Sequence, residues 1–198
     1  TFSDDELELI QKSAQAIQPR GPDMYQLVKV AEHIVAIFHR LSINDLTAKG
    51  MQPFQVEDAH GSLTTTMCNG EIYNYKELRE ELKALGCLFT SDSDTEVLLN
   101  GYRMWGERLL GRLDGMFAFA IWDRRSGQLF AARDKFGIKP LMYSVIDGGL
   151  VFASTLAPFL EMPGFPRELD KEALRDYLAF QTPLAPHTFL RSVRQLAP

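Results

Sequence analysis

Few thiols and imidazoles in this sequence are available as nucleophiles or metal ligands. The thiols are Cys68 and Cys87, and the imidazoles are His33, His39, His60 and His187. The histidines do not stand at metal-ligand spacing. Cys68 has no histidine near it in sequence. A free cysteine serving as a small buried apolar residue accounts for it, and for Cys87 after the helix-ending Gly86. Asn69-Gly70 taken alone is a turn after a strand. Arg40 and Asp94 taken alone are surface charges, or, for Asp94, a helix cap before Thr95. Single residues therefore name no chemistry. It has to come from groups that the fold holds together.

The elements that would hold them can be read from spacing. Ser3 and Glu6 form a capping-box pattern, and Leu7, Ile10, Ala14 and Ile17 follow at helical intervals, so a helix is expected over 4–17. Pro19, Gly21 and Pro22 end it. His33 to His39 and the threonine-rich Leu63 to Cys68 read as strands. Asn74, with Glu77 three residues on, is expected to cap a helix that Gly86 stops. Another helix is expected from Thr95 to Trp105. Met116 to Trp122 is almost wholly apolar and suits a strand buried on both faces, central rather than at an edge. Leu129 to Ala132 returns as a strand, and residues 141–146 and 150–153 read as a hairpin around Asp147-Gly148-Gly149. Leu169 to Phe180 is helical, with Leu174, Tyr177 and Leu178 on one face. The stretch from Thr182 carries Pro183, Pro186 and Pro198 and reads as irregular linker. Helices flanking antiparallel strands give an α+β layered class.

Composition excludes several functions. The 198 residues are 45% hydrophobic and 24% charged, with a formal net charge of −5. A weakly acidic chain without a run of Lys or Arg does not favour nucleic acid. No apolar stretch approaches membrane-spanning length, and the acidic start is not a signal peptide. Two cysteines do not make a disulfide framework, so a reducing cytoplasmic protein is expected.

Four segments in order narrow the reading: Arg20-Gly21-Pro22-Asp23, His39-Arg40-Leu41-Ser42-Ile43-Asn44-Asp45, Asn69-Gly70-Glu71-Ile72-Tyr73-Asn74-Tyr75 and Ser93-Asp94-Thr95-Glu96. At these separations the chain resembles the class II glutamine amidotransferases, whose fold is the N-terminal-nucleophile αββα sandwich of two mostly antiparallel sheets flanked by helices. Asp114 to Phe119 and Arg133 to Leu141 are similar to the asparagine-synthetase type. The resemblance implies an amidotransferase domain over 1–165, and over 166–198 a helix and linker leading toward a synthetase domain.

The resemblance also implies the site. Glutamine hydrolysis is acyl transfer and needs a nucleophile, a base, an oxyanion hole and a grip on the amino-acid head group. In the family an N-terminal cysteine attacks and its own α-amine, with a pKa of about 7.7–8.0, is the base. The oxyanion hole falls on the Asn69 side chain and the Gly70 backbone N–H. Arg40 would hold the substrate carboxylate and Asp94, helped by Glu71, the ammonium. Leu41, Ser42, Ile43 and Asn44 would line the same pocket through backbone groups. No metal or cofactor is expected in this domain. ATP and Mg²⁺ are expected in the synthetase domain, and the partners implied are glutamine and that domain. A homodimer is left open.

The sequence departs from the family at its start. The family opens with Cys-Gly-Ile on a strand; here Thr1 leads almost directly into the first helix. Thr1 beside a helix cap is unsuited to act as nucleophile, so these 198 residues alone are expected to show no glutaminase turnover. Pro19 stands where a histidine is usual, and Thr155 where glutamate is. Ammonia supply to an ATP-activated carboxylate, such as aspartate, a sugar acid or a peptide, is the function implied. A degenerate glutamine- or partner-binding module is the alternative, and another class II enzyme such as a glucosamine-phosphate synthase is a weaker one.

Overall fold

A computed structural model describes residues 2–43, 47–58, 60–146 and 148–198. Every strand pairing in it is antiparallel, and the strands form three sheets. The largest has four strands in the order β3 (Phe54–Glu57), β4 (Leu63–Ile72), β5 (Gly115–Asp123) and β6 (Gln128–Arg133). The apolar run 116–122 thus lies in an inner strand, as its composition requires. Helices α2 (Tyr75–Ala84) and α3 (Asp94–Trp105) pack with this sheet. Cys68 and Ile72 of β4, Leu78 and Leu82 of α2, Val97 and Leu98 of α3, and Phe117, Phe119 and Ile121 of β5 close a single apolar core. Phe117, Phe119 and Ile121 sit two apart on their strand, Cys68 and Ile72 an even number apart on theirs, and Leu78 and Leu82 four apart on α2, which is how each of these elements turns one face inward.

The second sheet is the hairpin β1 (Met24–Ala31) and β2 (Ile34–Arg40). The third is β7 (Met142–Ile146) between β8 (Gly149–Ala153) and β9 (Arg194–Gln195). Ahead of these, α1 (Asp4–Gln15) begins on the expected capping box: the Ser3 hydroxyl accepts from the Glu6 N–H, and the Glu6 carboxylate accepts from the Ser3 N–H. It packs against α4 (Ala157–Glu161).

Three local expectations change. Asn74 precedes α2 but its side chain does not cap it. Its amide donates to the Arg112 carbonyl and accepts from the Asp114 N–H, tying the helix start to the approach of β5. The helix near the C-terminus, α5 (Lys171–Phe180), is capped by Asp170, and Ala173 rather than Leu174, Tyr177 and Leu178 makes its buried contact. The stretch beyond Thr182 is irregular as expected, but from Thr188 on it is packed rather than loose. Leu190 and Val193 bury against Phe159 and Phe165, and β9 adds to β7. Prolines keep that stretch out of longer ladders, but its apolar residues still find a core.

One turn is unusually well tied. After β6, the Asp134 carboxylate accepts from the backbone N–H groups of Phe117, Phe136, Ile138 and Lys139. The Arg133 guanidinium donates to the carbonyls of Lys139, Gly137 and Leu196. Phe136 and Ile138, on this turn, face solvent.

Candidate functional site

The site is organised by one edge of β4. On one side β4 pairs with β5 along nearly its whole length, from Thr64↔Asp123 to Ile72↔Gly115. On the other, β3 covers only Leu63 to Thr66. The ladder stops at Phe54↔Thr66, and the next residue back along that strand whose backbone would face β4 is Gln52. From there the edge is served by side chains. The Cys68 N–H donates to Gln52 Oε1 at 2.6 Å, and Gln52 Nε2 donates to the Cys68 carbonyl at 3.1 Å. At the far end, the Ile72 N–H donates to Asp94 Oδ2 at 2.9 Å. Alternate residues of a strand aim their N–H groups at the same edge. The Gly70 N–H therefore lies between these two anchored groups, on the edge turned away from β5.

Gly70 must be glycine. Its φ is +145°, and a Cβ there would come within 2.0 Å of the Met116 carbonyl oxygen. Asn69 and Glu71 flank it and turn their side chains to the sheet face opposite Cys68 and Ile72. The Asn69 amide reaches Ser154 Oγ, just past β8, at 3.4 Å.

Asp94 opens α3, where Ser93 accepts from the Thr95 N–H as the N-cap. Burial is the main force on the Asp94 carboxyl and raises its pKa; backbone N–H donors, led by Ile72, act against burial, and nearby Glu71 adds to the rise. Asp94, at the end of β4, thus has the negative charge of Glu71 in its neighbourhood, and two such carboxylates favour a cation there.

The approach to α3 is clamped from beneath. Glu96 is 2% exposed, and its carboxylate accepts from the N–H and hydroxyl of both Thr90 and Ser91. Buried Arg79 of α2 donates to the carbonyls of Ser91 and Ser93 and lies over the Phe89 ring. These contacts fix the turn from which Asp94 projects.

Arg40 ends β2. Its side chain is buried; Nη1 donates to the Thr47 carbonyl at 2.7 Å and lies 3.8 Å from Met24 Sδ. The Arg20-Gly21-Pro22-Asp23 segment holds this exit. The Asp23 N–H donates to the Arg40 carbonyl, and Asp23 Oδ2 accepts from the Ser42 N–H. Gly21 lies so close that a Cβ would sit 2.2 Å from the His39 carbonyl oxygen. Leu41 and Ile43 are exposed and Ser42 is half-buried. Asn44 lies outside the described residues.

The structure therefore gathers Asn69, Gly70, Glu71 and Asp94 at one end of β4, and gathers Arg40 to Ser42 around Asp23 and Thr47. Among the described residues, no hydrogen bond or ion pair runs directly between the two groups. Cys68 is unsuited to attack a substrate: it is 4% exposed in the core, and burial, with Asp94 nearby, pushes its thiol pKa far up. Among the described residues no cluster of three His, Cys, Asp or Glu could hold a metal ion, and no helix is long and apolar enough to cross a membrane.

Sequence reading missed Gln52, Arg79 and Glu96. Ser93-x-x-Glu96 has the capping-box pattern, but Glu96 reaches back to Thr90 and Ser91 instead of the cap N–H. Nothing in the sequence marks Gln52 beyond the proline after it.

Residues 1–198 match the family described as a glutamine amidotransferase domain. The chain belongs to that family. Within it, the chain is 44% identical over 194 residues to asparagine synthetase [glutamine-hydrolyzing] 1 of Bacillus subtilis, covering 98% of this chain and 30% of the relative. It is 40% identical over 201 residues to a putative asparagine synthetase [glutamine-hydrolyzing] of Mycobacterium tuberculosis, covering 97% of this chain and 31% of the relative. This amidotransferase domain thus spans about a third of the length of those relatives. In fold it is similar to the glutamine phosphoribosylpyrophosphate amidotransferase of B. subtilis, with a TM-score of 0.68 at 19% identity, covering 84% of this chain and 43% of that one. The likeness supports the antiparallel α+β fold of these amidotransferases.

Proposed function

We propose that this domain binds glutamine and stabilises the transition state of its hydrolysis, as the ammonia-supplying part of an asparagine-synthetase-type ligase. The observation that carries the reading is the β4 edge: the Gly70 N–H stands between two anchored N–H groups, Asn69 precedes it in the strand, and Asp94 is held at the strand's end within reach of the Glu71 charge. In this reading Asp94 and Glu71 take the substrate ammonium, and Arg40 takes its carboxylate. The amide carbonyl then points toward Asn69 Nδ2 and the Gly70 N–H.

A thiolate outside these 198 residues attacks the amide carbon. The developing oxyanion is met by the Asn69 and Gly70 donors; the α-amine that took the thiol proton returns it to the amide nitrogen as the C–N bond breaks, and ammonia leaves. Water then hydrolyses the thioester to glutamate and frees the thiol. Loss of one such donor typically costs about 10²–10³ in rate. The ammonia would meet a carboxylate, aspartate or another acid, activated by ATP and Mg²⁺ in a following domain. The relatives' names and the long remainder of their chains support that assembly, and the two free cysteines suit a reducing compartment.

The test uses the full-length protein. Arg40→Lys keeps the charge but loses the planar fork that grips a carboxylate. It should raise KM for glutamine about tenfold or more, in line with about 1.4 kcal/mol or more from a charged hydrogen bond. Synthesis from free ammonia should be unchanged. Equal loss of both activities would make Arg40 a structural residue and remove the head-group assignment.

A further inference from the structure

We infer that Gln52 is a positioning residue: its one amide group sets the oxyanion donors and the ammonium-binding carboxylate in register. The inference rests on the function proposed above and assigns the geometry of that site to a residue that need not touch substrate.

Gln52 is buried, and both ends of its amide are used. Oε1 accepts from the Cys68 N–H, while Nε2 donates to the Cys68 carbonyl and to Thr95 Oγ1 at 3.1 Å. In register terms Phe54 faces Thr66, so Gln52 stands where the partner of Cys68 would be. The backbone ladder has ended there, and the Gln52 side chain supplies the missing donor and acceptor, as a peptide group would. Cys68 directly precedes Asn69 and Gly70, and Thr95 directly follows Asp94. A single side chain thus grips the residue next to each half of the site. Cys68 itself is buried in the core and offers no reactive thiol, so its backbone link to Gln52 is the feature by which it acts on the site.

Cutting the two ends should have different consequences. Thr95→Val removes only the tether to α3. It should move Asp94 and raise KM for glutamine, with kcat unchanged. Gln52→Leu removes both tethers. It should lower kcat as well, by about 10- to 100-fold, because a misplacement of about 1 Å can cost about 10² in rate. Both variants are compared with wild type in the full-length protein by glutamate release. Rates are counted per nucleophile that a diazoketone analogue of glutamine can label, so unfolded molecules drop out. The expected result is a KM effect for Thr95→Val and a combined kcat and KM effect for Gln52→Leu. If kcat per labelled site stays at the wild-type value in Gln52→Leu and only the labelled fraction falls, Gln52 merely stabilises the fold and the inference is overturned. If both variants change KM alike and leave kcat alone, the oxyanion donors are not placed by Gln52 and it is likewise overturned. Wild-type protein that releases no glutamate would instead defeat the glutaminase function itself, a result distinct from either.

Discussion

Glu96→Gln keeps shape and removes charge at the clamp beneath Asp94. Each Glu96 oxygen accepts from one backbone N–H and one hydroxyl, Oε1 from Thr90 and Oε2 from Ser91. A glutamine amide can accept at one end only. At the other, the hydroxyl can turn and accept from the new NH₂, but the backbone N–H cannot. It is left facing a donor in a site only 2% exposed. That orphaned group costs about 1–3 kcal/mol, and the bonds that remain lose their charge assistance, roughly another 1 kcal/mol. The sum is about 2–4 kcal/mol, against a total stability of order 5–15 kcal/mol. At about 2–4 °C per kcal/mol for a chain this long, Tm should fall by about 4–16 °C. Thermal unfolding followed by circular dichroism measures it, with Glu80→Gln as control. Glu80 is exposed and pairs with Lys83, so its loss should stay within about 0.5 kcal/mol. If the two variants shift Tm by the same small amount, Glu96 is not a clamp, and the account of how Asp94 is held fails with it.

Asp94→Asn should separate stability from function. The folded-state pKa of Asp94 is raised above 3.8, chiefly by burial, so its ionised form costs stability. The cost is complete above the raised value, shrinks as pH falls through it, and vanishes below about 3.8. The variant's Tm should therefore match or exceed wild type at pH 8, with the gap closing toward pH 4, while KM for glutamine rises in the full-length protein; a wild-type advantage that grows with pH would contradict this. Cys68 should resist a disulfide-forming thiol reagent in the native chain and react only after denaturation, since burial raises both thiols' pKa and Cys68 is the more enclosed. Rapid native labelling at Cys68, located by mass spectrometry, would contradict that and reopen it as a nucleophile.

What the sequence reveals is set by whether a contact is local. The capping box at Ser3 and Glu6 spans three positions, and it forms as written. The apolar run 116–122 announces an inner strand because only burial on both faces tolerates it. Asn69-Gly70 and Asp94 could be singled out by family resemblance, but not placed. Their relation depends on Ile72 meeting Asp94 and on Gln52 bridging Cys68 and Thr95, contacts across 22, 16 and 43 positions. No periodicity encodes such contacts. Asn74 shows the reverse case. A sound local cap was available, and a link across 38 and 40 positions took the side chain instead. The tail beyond Thr182 misled for a related reason. Prolines signal irregular backbone, and irregular backbone can still be tightly packed.

The turn after β6 has one more consequence. Phe136 is 85% exposed and Ile138 is 56% exposed, yet the backbone beneath them is pinned by Asp134 and Arg133. A flexible loop with the same residues would fold them inward or sample many shapes. This one keeps an oily surface at a fixed position in water. The conformational freedom that any encounter would otherwise remove has already been lost during folding, so contact there carries little further entropic penalty. In dilute solution the feature is silent. As concentration rises, an encounter at this area has less ordering left to do than one at a mobile loop. Replacing Phe136 with serine would then change how the protein behaves in a crowded tube long before it changed how the protein folds.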